Sequence, residues 1–313
     1  MNARALGLCL LLILLIQIAA CGGGSSTAPP NSSPPPSGGG TSRVAIVVLE
    51  NTPYGSVIGN ASAPYLNQLA SQYGLATNYF ADVHPSIGNY FMMTTGQPVT
   101  LDDNFSGTVS ADNLAREING AGKSWKVYAQ GLPAPGYTGG DQFPYLRHHN
   151  PFSYFSDVQN DPSQAAKMVP ASQLSADLSS GALPDFLFII PDAQHDAHDC
   201  PAGMPSCTLN DTLAAADAWV QQNVGPLVAS SVMSNGVVVI VFDESDLTDI
   251  THGGGHVAAI VAGGAAKNGG FQSDSFHQHQ NLLRLVCDRL SLGACPGVGA
   301  ISGSMSEFIK AVQ

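Results

Sequence analysis

The sequence predicts an α/β fold, a three-layer α/β/α sandwich built on a mostly parallel central sheet. Short, continuously apolar runs recur along the chain at 44–49, 186–190 and 237–242, and runs of that kind are strands buried on both faces. Segments with apolar residues at helical spacing lie between them. Glycine, proline and polar clusters mark the junctions.

The elements follow in order. Residues 44–49 read as the first strand, 63–73 as an amphipathic helix and 74–80 as a second strand. A helix is expected over 112–121 behind a Ser110 cap, with a strand over 125–129 after it. Residues 186–190 form a strand, and 208–228 a long helix with alanine, leucine, tryptophan and valine on one face. The strongest strand is 237–242, another is 257–262, and helices over 280–290 and 305–312 close the chain. Alternation of this kind covers both faces of the sheet and puts any ligand at the carboxyl ends of the strands. The stretch 131–151, rich in glycine, proline and aromatics, is expected to loop over that edge.

Ahead of the domain the chain changes character. Arg4 precedes a nearly all-apolar run over 6–20, and Ile18-Ala19-Ala20-Cys21 resembles the lipobox of bacterial lipoproteins. The run is short for a membrane span and small residues precede the cysteine. Residues 1–20 are therefore expected to be a cleaved signal, with Cys21 lipidated as a membrane anchor. An ordinary secretory signal is the alternative. Gly22 after the cysteine, in place of an acidic residue, implies by the same resemblance an outer-membrane lipoprotein of the cell envelope. Residues 21–42, which continue as GGGSSTAPPNSSPPPSGGGTS, cannot bury enough apolar surface to fold and read as a linker. The folded domain is 43–313, long enough for one full core.

Composition narrows the partners. The chain carries 23 acidic against 11 basic residues, for a net charge of −12, and lacks the basic patches that nucleic acid requires. Cys200 with Cys207, and Cys287 with Cys295, are close pairs that read as local disulfides in an exported protein. Zinc is the competing reading, but its ligands are usually spaced more tightly.

Polar residues then gather at the strand ends. The first strand runs into Glu50-Asn51, and the second is followed by His84-Pro85-Ser86 and Asn89. The strand at 186–190 leads to Asp192, His195, Asp196, His198 and Asp199. The strand at 237–242 ends in Asp243-Glu244, with His252 and His256 bracketing three glycines beyond. Glutamate occurs only at Glu50, Glu117, Glu244 and Glu307, so two strand ends hold a good share of it. Each cluster alone is compatible with a solvated turn, or with a helix cap at Ser86. Together they converge on one edge. Ionised carboxylates do not gather there without a counter-charge. A divalent cation supplies one, with Mg, Ca, Mn, Zn and Fe all open. A cation beside a serine hydroxyl makes a nucleophile, and phosphoryl transfer is the reaction that most needs that pairing.

The motifs also resemble a known family. HPSIGNYFMMTTG (84–96) is similar to the HPSxPNYxxxxxG signature of bacterial and fungal acid phosphatases and phospholipases C, a phosphoesterase branch of the alkaline phosphatase superfamily. LENT (49–52), PDAQHDAHDC (191–200), FDESD with HGGGHV (242–257) and HQNLLRLV (279–286) match further family blocks in order. The resemblance implies an alkaline phosphatase-like fold and a metal-dependent phosphomonoesterase working through a phosphoserine. It places the nucleophile at Ser86, a phosphate-binding amide at Asn89, and the ligands of one cation at Glu50, Asn51, Asp243 and Glu244. His198 would contact phosphate or protonate the leaving group, with His84, His256 and His279 as further contacts. Asp192, Asp196, Asp199 and His252 are candidates for the wider site or a second metal. Two departures stand out: Gly88 replaces the usual proline, and Asp196 stands where two-metal relatives have histidine. The expected partner is a small phosphorylated substrate, a phospholipid or phosphoinositide among the candidates. A phospholipase C-type phosphodiesterase is the alternative, and a non-catalytic solute- or metal-binding lipoprotein a more distant one.

Overall fold

A computed structural model describes residues 41–311. The expected signal, Cys21 and nearly all of the linker lie outside them.

Among the described residues, strands β1 (Arg43–Leu49), β2 (Gly74–Ala76), β3 (Trp125–Ala129), β4 (Met168–Pro170), β5 (Phe186–Ile190), β6 (Gly236–Phe242), β7 (Ala259–Ala262) and β8 (Phe271–Ser273) form one sheet. Its order is β4-β3-β5-β1-β6-β7-β2-β8. β7 is antiparallel to β6 and β2, and the other pairs are parallel. The fold is therefore α/β with a mostly parallel sheet. Successive strand residues point to opposite faces, and β6 is buried along its whole length, as is β1 from Val44 onward, so both faces are covered. Valine and isoleucine dominate both strands, as a doubly buried pleated surface favours.

Register places the site. β1 and β6 pair from Arg43 opposite Gly236 to Leu49 opposite Phe242. Glu50 and Asp243 come next on each strand, so they emerge together at the carboxyl edge. The Asp243 N–H continues the ladder by donating to Leu49 O over 2.8 Å.

Several sequence expectations shift. The long helix over 208–228 is two helices, Leu209–Asn223 and Gly225–Ala229, because Pro226 supplies no backbone N–H and disfavours helical geometry before it. Helix Leu114–Gly120 is capped by the Asn113 side chain accepting from Arg116 N, not by Ser110. Strand β2 stops at Ala76, and β7 starts two residues later than expected. The expected last helix is only a 3-10 turn, Ser306–Phe308, among the described residues. Edge strands β4 and β8 are three residues each, too short to show periodicity. Helix Ser86–Thr95 buries every residue, so it has no amphipathic signature to read. The disulfides Cys200–Cys207 and Cys287–Cys295 form as expected. No described helix is long and apolar enough to cross a membrane.

Candidate active site

A cavity of about 510 Å³ opens at the carboxyl edge, with Asn51, Ser86 and Glu244 in its lining. Ser86 is the first residue of helix Ser86–Thr95 and does not cap it. The Ile87 N–H is met instead by Asp103 Oδ1 at 3.1 Å. The serine hydroxyl thus remains free to donate to Glu50 Oε2 at 2.9 Å, with Glu244 Oε1 3.5 Å away. Asn51 turns the chain at the end of β1 with φ at 41°, a left-handed conformation that asparagine tolerates better than most residues. That turn lets its N–H donate to Asp243 Oδ1 at 3.1 Å and its amide donate to Glu244 Oε1 at 2.6 Å.

The electrostatics are one-sided. Glu50, Asp243 and Glu244 are all buried. Burial lifts the Glu50 carboxyl well above its usual range, and the charges of Asp243, Asp196 and Glu244 add to it. Glu244 is pushed up to about 9, first by burial and then by Asp243. Burial also raises Asp243, against the hydrogen bonds it accepts. Asp243 Oδ2 has no hydrogen-bond partner among the described residues. None of the described residues lining the cavity is a lysine or arginine. Such a site holds either protons or a cation. Hard oxygen donors from three carboxylates, one of them carrying the orphaned oxygen, fit a divalent cation. Among the described residues no trio of histidine, cysteine, aspartate or glutamate is already disposed to hold one. The carboxylates are instead turned onto Ser86, Asn51 and Tyr90, which occupy their lone pairs.

The other expected residues divide. His198 and Asp199 line the cavity, and the His198 side chain is largely exposed. Asp196 lies beneath Glu50, its carbonyl accepting the Glu50 N–H at 2.7 Å, and burial raises its carboxyl well above the ordinary range. His84 sits one layer back, with Nδ1 3.0 Å from Glu244 Oε2 and Nε2 3.1 Å from Asp249 O.

Other placements correct the sequence reading. Asn89 is fully buried. Its Oδ1 accepts the N–H groups of Asp82 and Val83, and its amide donates to Val83 O at 2.8 Å. It ties down the turn before Ser86, and reaches the site only through Glu244 Oε2 at 3.4 Å. His279 is buried behind Asp243, its ring bridging Asp243 O at 2.6 Å and the Tyr79 hydroxyl at 3.1 Å, and burial pushes it down to about 4. His256 stacks on Tyr54 with ring centres 4.3 Å apart, and His252 packs edge-on to Phe80 and Phe276. The cause is the triple glycine. Gly254 N donates to Ala81 O and Ala81 N to Gly255 O, so the loop hugs the 81–83 segment and delivers both histidines to its outer side. A Cβ on Gly254 would meet Val83 O at 2.5 Å, which is why only glycine fits. Asp192 accepts from His195 at 2.6 Å, and His195 faces a separate cavity of about 470 Å³. Asp192, Asp196, Asp199 and His252 are therefore not brought together as a second metal site.

Sequence reasoning missed His148, His149 and Tyr90. Both histidines line the cavity from the 3-10 turn Arg147–His149. His149 Nε2 lies 3.5 Å from Glu50 Oε1 and Nδ1 lies 3.8 Å from Asp196 Oδ2. Burial holds His149 well below its usual range, and His148 and His198 add to that. The available signal was the His148-His149 pair inside the 131–151 loop.

Comparisons with known proteins bear on the family and the fold. A family model described as the phosphoesterase family matches residues 57–293. A phosphatidylinositol-3-phosphatase of Mycobacterium tuberculosis is 31% identical over 66% of this chain and 64% of that protein. A probable acid phosphatase of Kluyveromyces lactis is 29% identical over 78% of this chain and 57% of that one. The chain thus spans less than two thirds of the length of these curated relatives. Among solved structures, a protein of the alkaline phosphatase superfamily from Vibrio parahaemolyticus matches with a TM-score of 0.56 at 14% identity, over 81% of this chain and 67% of that one. A phosphonate monoester hydrolase of Agrobacterium radiobacter matches with a TM-score of 0.51 at 14% identity, over 87% of this chain and 78% of that one. These structural matches establish the shared fold.

Proposed function

Because the chain belongs to the phosphoesterase family, we propose that it is a metal-dependent phosphomonoesterase that works through a phosphoserine at Ser86. The observation that carries this is the hydroxyl of Ser86, a residue of the cavity lining, hydrogen-bonded at 2.9 Å to the buried carboxylate of Glu50. A divalent cation bound by Glu50, Asn51, Asp243 and Glu244 would supply the positive charge that makes the hydroxyl nucleophilic and offsets the phosphate's own.

Ser86 Oγ attacks phosphorus, and its proton leaves along the hydrogen bond to Glu50 Oε2. The bond from phosphorus to the ester oxygen breaks, and His198 protonates that oxygen as it departs. Water then attacks the phosphoserine, giving its proton to His198, and the Ser86 oxygen leaves and recovers its proton. With no arginine or lysine among the described lining residues, His148, His149 and His198 supply the imidazoles that face phosphate oxygens. The substrate is a small phosphate monoester. A phosphorylated inositol lipid belongs in the test panel, given the name of one relative.

We also propose that the protein is an exported lipoprotein, anchored through Cys21 and the 21–42 linker in the cell envelope. The two disulfides support an oxidising compartment.

Replacing Ser86 with alanine should abolish phosphate release from p-nitrophenyl phosphate while bound cation, measured by elemental analysis, persists. A Ser86→Ala variant that remains active would show that the nucleophile lies elsewhere.

A further inference from the structure

Glu50 offers two carboxylate oxygens, and one helix takes both. Ser86 Oγ donates to Oε2 at 2.9 Å, and Tyr90 Oη donates to Oε1 at 2.5 Å. The two hydroxyls are four residues apart on helix Ser86–Thr95, the spacing that stacks side chains on one face. The terminal torsion of a glutamate is broad and two-fold, so nothing in Glu50 itself decides which way its carboxylate plane turns. Tyr90, by contrast, has no freedom. Its fully buried ring lies flat on His149, with centres 5.1 Å apart and planes 7° from parallel, and it meets Phe188 edge-on at 6.3 Å. Packing fixes the ring, the ring fixes the phenol, and the phenol holds one carboxylate oxygen.

We propose that Tyr90 is a positioning residue whose hydroxyl sets the plane of the Glu50 carboxylate and so presents Oε2 to Ser86. Tyr90 is not part of the cavity lining, so it acts through Glu50 and not on substrate. The same orientation decides how Glu50 faces a cation. The inference rests on the reading of Ser86 as nucleophile and of Glu50 as its partner. A role in packing alone would require the ring but not the hydroxyl, which makes phenylalanine the discriminating replacement.

Tyr90→Phe is the test, run on the full folded domain. With p-nitrophenyl phosphate, kcat should fall roughly 10- to 100-fold, the range seen when a hydrogen-bonded partner of a metal ligand is removed. KM and the thermal unfolding midpoint should stay near wild type. Binding of Mn²⁺ alone to the chelator-treated protein, followed by equilibrium dialysis, should weaken by a similar factor. Unchanged kcat and Mn²⁺ affinity would overturn the proposal. So would kcat, KM and the unfolding midpoint all worsening together, because that pattern marks damage to packing. If wild type itself releases no phosphate, the functional reading fails, and the Mn²⁺ arm still decides the role of Tyr90.

Discussion

In the presence of a chelator, raising the pH above about 6.5 should destabilise this protein steadily, with the carboxylate cluster as the cause. Glu244 titrates near 4.5 when solvated and at about 9 in the folded chain. Between those values the folded state holds a proton that the unfolded state has released. The stability Glu244 contributes is therefore fully present below 4.5 and lost as the pH passes through about 9. One excess proton gives a slope of about 1.4 kcal/mol per pH unit. Glu50, Asp243 and Asp196 are raised in the same direction, while His149, His256 and His279 are pushed down and oppose the slope only below about 6.5, so above that pH the slope is a minimum. For a domain of this size it corresponds to roughly 2–4 °C of unfolding midpoint per pH unit. The assay is thermal unfolding by circular dichroism, in chelator and in excess Mg²⁺ or Mn²⁺, across that range. A cation takes the place of the protons, so it should flatten the slope and raise the midpoint most at high pH. A chelated protein whose midpoint is level or climbs with pH above about 6.5, where the lowered histidines no longer contribute, would refute this account of the carboxylate cluster, as would a slope that no cation alters.

Two further outcomes follow from single contacts. Glu244→Gln supplies permanently the neutral group that the cation-free fold otherwise obtains by binding a proton, so in chelator near pH 8 its unfolding midpoint should exceed that of wild type while phosphate release falls; a lower midpoint would contradict the proton uptake described above. Asp217 reaches from helix Leu209–Asn223 to accept the N–H groups of Tyr65 and Leu66 at 3.1 and 2.7 Å, capping helix Pro64–Gln72 from outside. Asp217→Ala should cost about 1–2 kcal/mol in urea unfolding with kcat unchanged.

What could be seen in the sequence was whatever is local to it. The apolar runs of β1 and β6 end in carboxylates within the same few residues, so a strand and its site residues appear in one glance. Ser86 belongs to a contiguous motif. His149 is invisible by comparison, because its place beside Glu50 depends on how residues 131–151 fold back over the sheet edge. His252 and His256 misled for the same reason: whether a residue after three glycines faces inward is decided by the 81–83 segment that the glycines pack against. His279 and Asn89, read from the sequence as phosphate contacts, lie behind the carboxylates. Their orientation, toward backbone atoms and away from the cavity, follows from buried partners distant in sequence. The helix carrying Ser86 escaped notice because a segment buried on all sides has no polar face.

The unbroken register of β1 against β6 has an evolutionary corollary. Glu50 and Asp243 meet only because both strands count the same number of residues from Arg43 and Gly236 to the edge. Deleting one residue from either strand would draw its carboxylate back by about 3.3 Å and turn it to the opposite face of the sheet. Length variation in this domain should therefore collect in its loops and be absent from these two strands, whose lengths can change only as a matched pair.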